Sequence, residues 1–199
     1  MSFVLDPVTL EGAHVRLEPL SRNHLPGLLE VGLDPSLWTW TVTRVRSGDD
    51  FRRYVESAIA EQEQGTALPF ATVWKESGQA IGSTRYGNIA PEHQRLEIGW
   101  TWIAPAWQRT AANTEVKLLM LGHAFDTLQM RRVEFKTSSL NQRSRDALRR
   151  IGAVEEGTLR RHTVNQDGTI RDTVYFRIIV EEWPSVKARL QNELAKHQR

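Results

Sequence analysis

The chain has 199 residues, a length suited to one domain, and 40% of them are hydrophobic, enough for a real core. It has no cysteine, which excludes disulfides, thiolate metal sites and a cysteine nucleophile, and fits a cytoplasmic protein. The net charge is only +2, and neither Arg143–Arg150 nor Arg160–Arg161 forms a basic stripe with interleaved aromatics, so direct nucleic-acid binding is not expected.

The opening MSFVLDPVTLEG has no basic n-region and no continuous apolar stretch, so no signal peptide is expected there. No run of about 18 apolar residues occurs, so no membrane span is expected. His14–Pro19 alternates as a strand does, and Ser21 can cap a helix through Leu25, Leu28 and Leu29 to Gly32. Trp38 to Gly48 is irregular. Asp49 or Asp50 then caps a helix carrying Phe51, Tyr54, Ile59 and Ala60, ended by Gly65. Leu68–Lys75, a Ser77-Gly78 turn and Ala80–Ile89 make a hairpin. Leu96–Ala104 is a strand closed by Pro105, and a long helix follows from about Asn113 to Leu128. Arg132–Ser138 alternates again, and Asn141–Ile151 is a short helix stopped by Gly152. Ala153–Thr163 and Thr169–Val180 flank an Asn165-Gln166-Asp167-Gly168 turn, a second hairpin signal. From Trp183 onward Val186, Leu190 and Leu194 share one helical face.

That order is α+β, with an antiparallel front half and a βαβ crossover around the long helix. The crossover should lay Leu96–Ala104 parallel to Arg132–Ser138, with a ligand seated where those strands end and the helix begins. A helix N-terminus presents unpaired amides and the positive end of its dipole, so the turn Gln108 to Ala112 is a ready anion site, with Arg109 adding charge and a pyrophosphate as its natural occupant. An ordinary strand–loop–helix joint with Asn113 or Thr114 as N-cap is the alternative. The histidines show no metal-ligand spacing, and no zinc ligand set, P-loop or nucleophile elbow occurs.

Gln108-Arg109-Thr110-Ala111-Ala112-Asn113 resembles the Gln/Arg-x-x-Gly-x-Gly/Ala signature of the GNAT superfamily of acetyl-CoA-dependent N-acetyltransferases. It departs where Ala111 replaces Gly and Asn113 replaces Gly/Ala. VRLEPLSRNHL (Val15–Leu25), IGSTRYGNI (Ile81–Ile89), LEIGWTWIAPAWQRT (Leu96–Thr110), NQRSRDALRRIGA (Asn141–Ala153) and EEGTLRRHTVNQDGTIRDTVYFRII (Glu155–Ile179) resemble, in order, segments of the RimJ/RimL branch, which modifies ribosomal-protein N-termini. The resemblance spans about residues 8–182. It implies a GNAT fold over 1–182, with a mixed twisted sheet of about seven strands flanked by helices, and a C-terminal helix, 183–199, packed on the same domain.

The resemblance also implies a chemistry: transfer of an acetyl group from acetyl-CoA, without a metal, to a primary amine by direct attack in a ternary complex. The acceptor it suggests is a protein N-terminal α-amine, ribosomal in type. A small amine (an aminoglycoside, polyamine or amino-acid derivative) and a non-catalytic acyl-CoA-binding module stay open, as does a homodimer by analogy. The backbone of Trp102, Ile103 and Ala104 would pair with the pantetheine arm. The amides of Gln108, Arg109, Thr110, Ala111, Ala112 and Asn113 would hold the pyrophosphate. Glu97 is the candidate base, or else a solvated strand-end carboxylate. Asn141 would orient the cofactor or cap its helix, or do both, and Ser144, or water, would serve the leaving sulfur, because Leu148 stands where many relatives have a Tyr acid. Trp38, Trp40 and Arg44 fall in the segment bordering the acceptor cleft, where the tryptophans either clamp the acceptor or plug the core, and Arg85 and Tyr86 are further cleft candidates.

Overall fold

The computed structural model describes residues 6–197. One eight-stranded sheet organises them in the order β1-β2-β3-β4-β5-β6-β8-β7. The strands are β1 (Leu10–Glu11), β2 (Val15–Pro19), β3 (Leu68–Trp74), β4 (Gln79–Ala90), β5 (Arg95–Ile103), β6 (Arg132–Ser138), β7 (Val154–Val164) and β8 (Ile170–Ile179). Every neighbouring pair is antiparallel except β5 and β6, which are parallel as a crossover through a helix requires. The sequence reading misses β1, which is two residues long and too short to show alternation.

Five helices cover the sheet unequally. α1 (Leu25–Gly32) and α2 (Gly48–Glu63) pack on one face, where Leu28, Phe51, Tyr54 and Trp102 share a core cluster. α3 (Ala112–Gly122), α4 (Gln142–Ile151) and α5 (Trp183–Ala195) pack on the other, around Tyr86, Ile98, Val116, Met120, Phe135 and Phe176. Trp183, Val186 and Leu190 of α5 belong to that second cluster. Among the described residues, none of β6, β7 or β8 joins the first cluster, and no helix packs over that face of the three strands.

Two helix limits differ from the sequence reading. α2 is capped by Ser47, whose hydroxyl accepts the Asp50 N–H at 3.1 Å. Asp49 and Asp50 lie in its first turn, where carboxylates favour the positive end of the dipole. The long helix is α-helical only to Gly122 and continues as a π-helical turn, His123–Thr127. α4 stops at Gly152, φ +98, as a left-handed C-terminal glycine should.

Candidate active site

β5 and β6 pair only across Arg95–Arg132, Leu96–Val133 and Glu97–Glu134. Beyond Glu97 the strands part: β5 stays with β4 and β6 stays with β8. The cause lies in β5. Ser83 faces Trp102 and Arg85 faces Gly99, so three steps on β5 match two on β4. The extra residue is a bulge at Trp100, which takes φ +51, a left-handed value that bulky side chains rarely adopt. The bulge bends β5 away from β6 and opens a V between them. It also reverses the alternation, so that Ile98 and Ile103, five apart, both face α3.

The turn after β5 leads to the N-terminus of α3. The N–H groups of Trp107 and Gln108 bond back to Ala104 and Pro105, and the Ala112 N–H donates to Thr110 Oγ1 at 3.2 Å. Among the described residues, the N–H groups of Arg109, Thr110, Ala111, Asn113 and Thr114 have no protein acceptor. Five free donors at one helix start make a cradle fit for a diphosphate. Ala111 has φ −60, an ordinary helical value, so alanine in place of the signature glycine costs no backbone strain; the left-handed residue is Arg109, φ +63. The Gln108 side chain braces the turn, donating to Ile103 C=O at 2.7 Å and accepting from Arg143 of α4 at 2.9 Å. Arg150 of α4 donates to Thr114 Oγ1 at 3.2 Å. Neither Asn113 nor Thr114 caps α3; Thr110 does the nearest equivalent. Within Trp102–Ala104 the backbone is partly committed: the Ala104 N–H goes to Ile81 C=O at 2.8 Å and the Ile103 carbonyl to Gln108.

Glu97 stands at the apex of the V and is 5% exposed, so it is not a solvated strand-end group. Its carboxylate accepts from Asn88 Nδ2 at 2.6 Å and pairs with Lys136 Nζ at 2.8 Å. Burial pulls the Lys136 ammonium down, but the Glu97 hydrogen bond and charge outweigh it and hold the lysine above its ordinary value. Asn141 caps α4, its Oδ1 accepting the Ser144 N–H at 3.1 Å. The Ser144 hydroxyl has no partner among the described residues, whereas Leu148 is buried in the core.

The expected acceptor-side residues separate. Trp38 is a core plug: it is 3% exposed, donates to Gly32 C=O at 2.7 Å and packs on Phe51, Tyr54 and Trp102. Trp40 is 41% exposed, so the two tryptophans do not clamp anything together. Tyr86 is fully buried on the α3 face, its hydroxyl on Met120 C=O at 2.6 Å, and cannot share a cleft with Arg85. Arg85 points to the α2 side, pairs with Glu61 at 2.8 Å and lies against the rings of Tyr54 and Trp100. Arg44 pairs with Asp167 at 2.8 Å, and Gln166 N–H bonds Val42 C=O at 3.0 Å, so the segment between α1 and α2 is clasped to the β7–β8 turn.

Two cavities open on this face beside the V. The larger, about 510 Å³, is lined by Asn88, Arg95, Glu134, Lys136 and Tyr175 among others. The smaller, about 220 Å³, lies under α2 against Arg44, Glu61, Arg85 and Trp100. The phosphate-ready turn faces the α3–α4 side and the cavities face the α2 side, so the V connects a nucleotide side to an open side.

The sequence reading misses Glu115, Lys117, Arg143 and Arg150. Two charges inside an otherwise apolar helix were the signal for the first pair. Glu115 is 4% exposed and accepts the N–H groups of Ala13, His14 and Val15 at 2.8, 2.7 and 2.6 Å, tying the start of α3 to β2.

Residues 14–154 match the family model of the acetyltransferase (GNAT) domain. The chain is 29% identical over 110 residues to a Bacillus subtilis protein named "Putative ribosomal N-acetyltransferase YdaF"; the match is 55% of this chain and spans 59% of that protein's length. Its structure is similar to that of a GCN5-related N-acetyltransferase from Brucella melitensis, with TM-score 0.88 and 31% identity over 96% of this chain and 86% of that one. It is also similar to Mycobacterium smegmatis RimJ in complex with CoA-disulfide, with TM-score 0.80 and 25% identity over 94% and 95%. The chain belongs to the GNAT acetyltransferase family.

Proposed function

We propose that the chain moves the acetyl group of acetyl-CoA to the α-amine of a protein N-terminus, in a ternary complex formed across the V between β5 and β6. The observation that carries this reading is the pairing of five free amides at the start of α3 with an uncovered sheet face on the opposite side of the same opening. The diphosphate would sit on the amides of Arg109–Ala111, Asn113 and Thr114, with Arg109, Arg143 and Arg150 supplying charge. The pantetheine arm would follow β5 past Thr101 and Ile103 toward the apex.

The amine attacks the thioester carbon, the carbon–sulfur bond breaks, and two proton movements complete the reaction. An α-amine, pKa about 7.7–8.0, is partly neutral near pH 7, whereas a lysine, about 10.4, is not. Such an acceptor asks little of its base. Glu97, held by Asn88 and Lys136 at the apex, takes the amine proton, directly or through one water. The Ser144 hydroxyl, free among the described residues, gives a hydrogen bond or a proton to the departing sulfur, with water as its alternative.

The open side also bears on the acceptor. The larger cavity has Arg95 and Lys136 against Glu134, so it offers no excess of negative charge to a polycation such as an aminoglycoside or polyamine. Its lack of a helical cover leaves room for a polypeptide leading away from the amine. The helical conformation at Ala111 lets the altered signature there stand without backbone strain, which supports a working acetyl-CoA site over a non-catalytic module. The test is thiol release from acetyl-CoA with peptide and small-amine acceptors, followed by mass spectrometry of the product. Peptides with free Ala or Ser N-termini should be acetylated at the α-amine. Turnover of polyamines or aminoglycosides but not peptides would overturn the acceptor assignment.

A further inference from the structure

The buried lysine of α3 has no role in the chemistry above. Lys117 is 5% exposed. Lys75, Lys136, Lys187 and Lys196 each pair with a carboxylate, and Lys117, among the described residues, does not. Its hydrogen bond is to a hydroxyl, Thr101 Oγ1, at 2.9 Å. Thr101 Oγ1 in turn lies 2.8 Å from Thr84 Oγ1, and both hydroxyls lie 3.5 Å from the Gly99 carbonyl. Burial pulls the amine down to about 7. A buried amine with one neutral partner is a poor use of a core position. Its helical neighbours Val116, Met120 and Leu121 show that an apolar side chain would suit the site.

What the amine touches explains its presence. Thr101 follows Trp100, and Gly99 precedes it, so the Lys117–Thr101–Thr84 chain grips both sides of the β5 bulge from the α3 face. Tyr54 reaches the Trp100 carbonyl from the other face, at 3.4 Å. An amine that donates to Thr101 Oγ1 turns the hydroxyl hydrogens of the chain away from itself, toward Thr84 and the Gly99 carbonyl. Gly99 is the last β5 residue paired with β4 before the register shifts, opposite Arg85. We propose that Lys117 is a positioning residue that, acting through Thr101, holds the β5 bulge in the shape that keeps β5 and β6 apart and so seats the acetyl group. The acetyl-group part of this inference rests on the function proposed above; the bulge part does not.

The test uses Lys117→Met, which keeps the stem and removes the donor, Thr101→Val, which removes the acceptor at equal size, and the double variant. Amide hydrogen exchange over Gly99–Ile103 reads the bulge without any ligand. Steady-state kinetics read KM for acetyl-CoA and kcat separately. Lys117→Met should melt at or above the wild-type temperature, exchange Gly99–Ile103 at least tenfold faster, and lose at least tenfold in kcat/KM for acetyl-CoA. Thr101→Val should reproduce the exchange and kinetic losses, and the double variant should add little to either. Unchanged exchange in Lys117→Met would overturn the proposal, as would a lower melting temperature with kcat and KM unchanged, which is the outcome of a merely structural lysine. Additive losses would overturn the route through Thr101. If the wild type neither binds nor turns over acetyl-CoA, the proposed function fails, and the exchange data still decide whether Lys117 holds the bulge.

Discussion

Replacing Glu115 with alanine should destabilise the protein and displace the helix start at which we propose the acetyl-CoA diphosphate binds. The carboxylate accepts three N–H groups from Ala13–Val15, two of them at or below 2.7 Å. Ala13 is exposed and its N–H can turn to water, whereas Val15 is buried and its N–H cannot. A buried donor left alone costs about 1–3 kcal/mol, and hydrogen bonds to a charged acceptor are the stronger kind. Full cost at Val15, partial cost at His14 and little at Ala13 sum to about 1.5–5 kcal/mol. For a domain of this length, about 2–4 °C is lost per kcal/mol, so the melting temperature should fall by about 3–20 °C. Glu115→Gln, which keeps one acceptor oxygen, should fall between. Gly12→Ala should act in the same direction, because a Cβ there would lie 2.4 Å from Glu115 Cδ. Differential scanning calorimetry measures all three, and acetyl-CoA titration below the new melting temperature should show weaker binding. A drop under about 3 °C for Glu115→Ala would refute the reasoning.

Tyr86→Phe should cost about 0.5–1.5 kcal/mol for the bond to Met120 and leave the acceptor profile unchanged, as denaturant titration and an acceptor screen would show. Arg109→Gly relieves a left-handed conformation and should stabilise by about 1 kcal/mol, while acetyl-CoA affinity drops about threefold to tenfold by calorimetry. For Lys117 the folded amine titrates near 7 and the unfolded one near its ordinary value. Between those values the unfolded chain binds the extra proton, so stability should rise with pH across that window. The gain should approach about 1.4 kcal/mol per pH unit relative to Lys117→Met in urea unfolding. A flat difference between the two from pH 7 to 10 would count against a buried neutral amine.

The crossover was readable because Leu96–Ala104 and Arg132–Ser138 read as strands on either side of one long apolar helix. The second hairpin was readable from its turn, where Gly168 takes φ +82. The caps were less so: Ser47, Asp49 and Asp50 are all good N-cap residues, and only the chain path selects Ser47. Arg85 and Tyr86 are adjacent on a strand and must face opposite sides, so placing both in one cleft conflicted with strand alternation, and the structure puts Tyr86 in the core. The Trp100 bulge was hidden because it changes register without changing composition, and the V between β5 and β6 depends on it. Lys117 was hidden for a related reason. Helical periodicity identifies a buried face but not what a charged residue on that face will meet.

The most direct measurement is a calorimetric titration of the wild-type chain with acetyl-CoA and, separately, with S-acetylpantetheine, which keeps the thioester and lacks the diphosphate. The account predicts acetyl-CoA binding in the range of about 1 μM–1 mM and at least a hundredfold weaker binding of S-acetylpantetheine, because the free amides at the start of α3 hold the diphosphate. Equal affinity for the two, or no binding of acetyl-CoA at millimolar concentration, would contradict it.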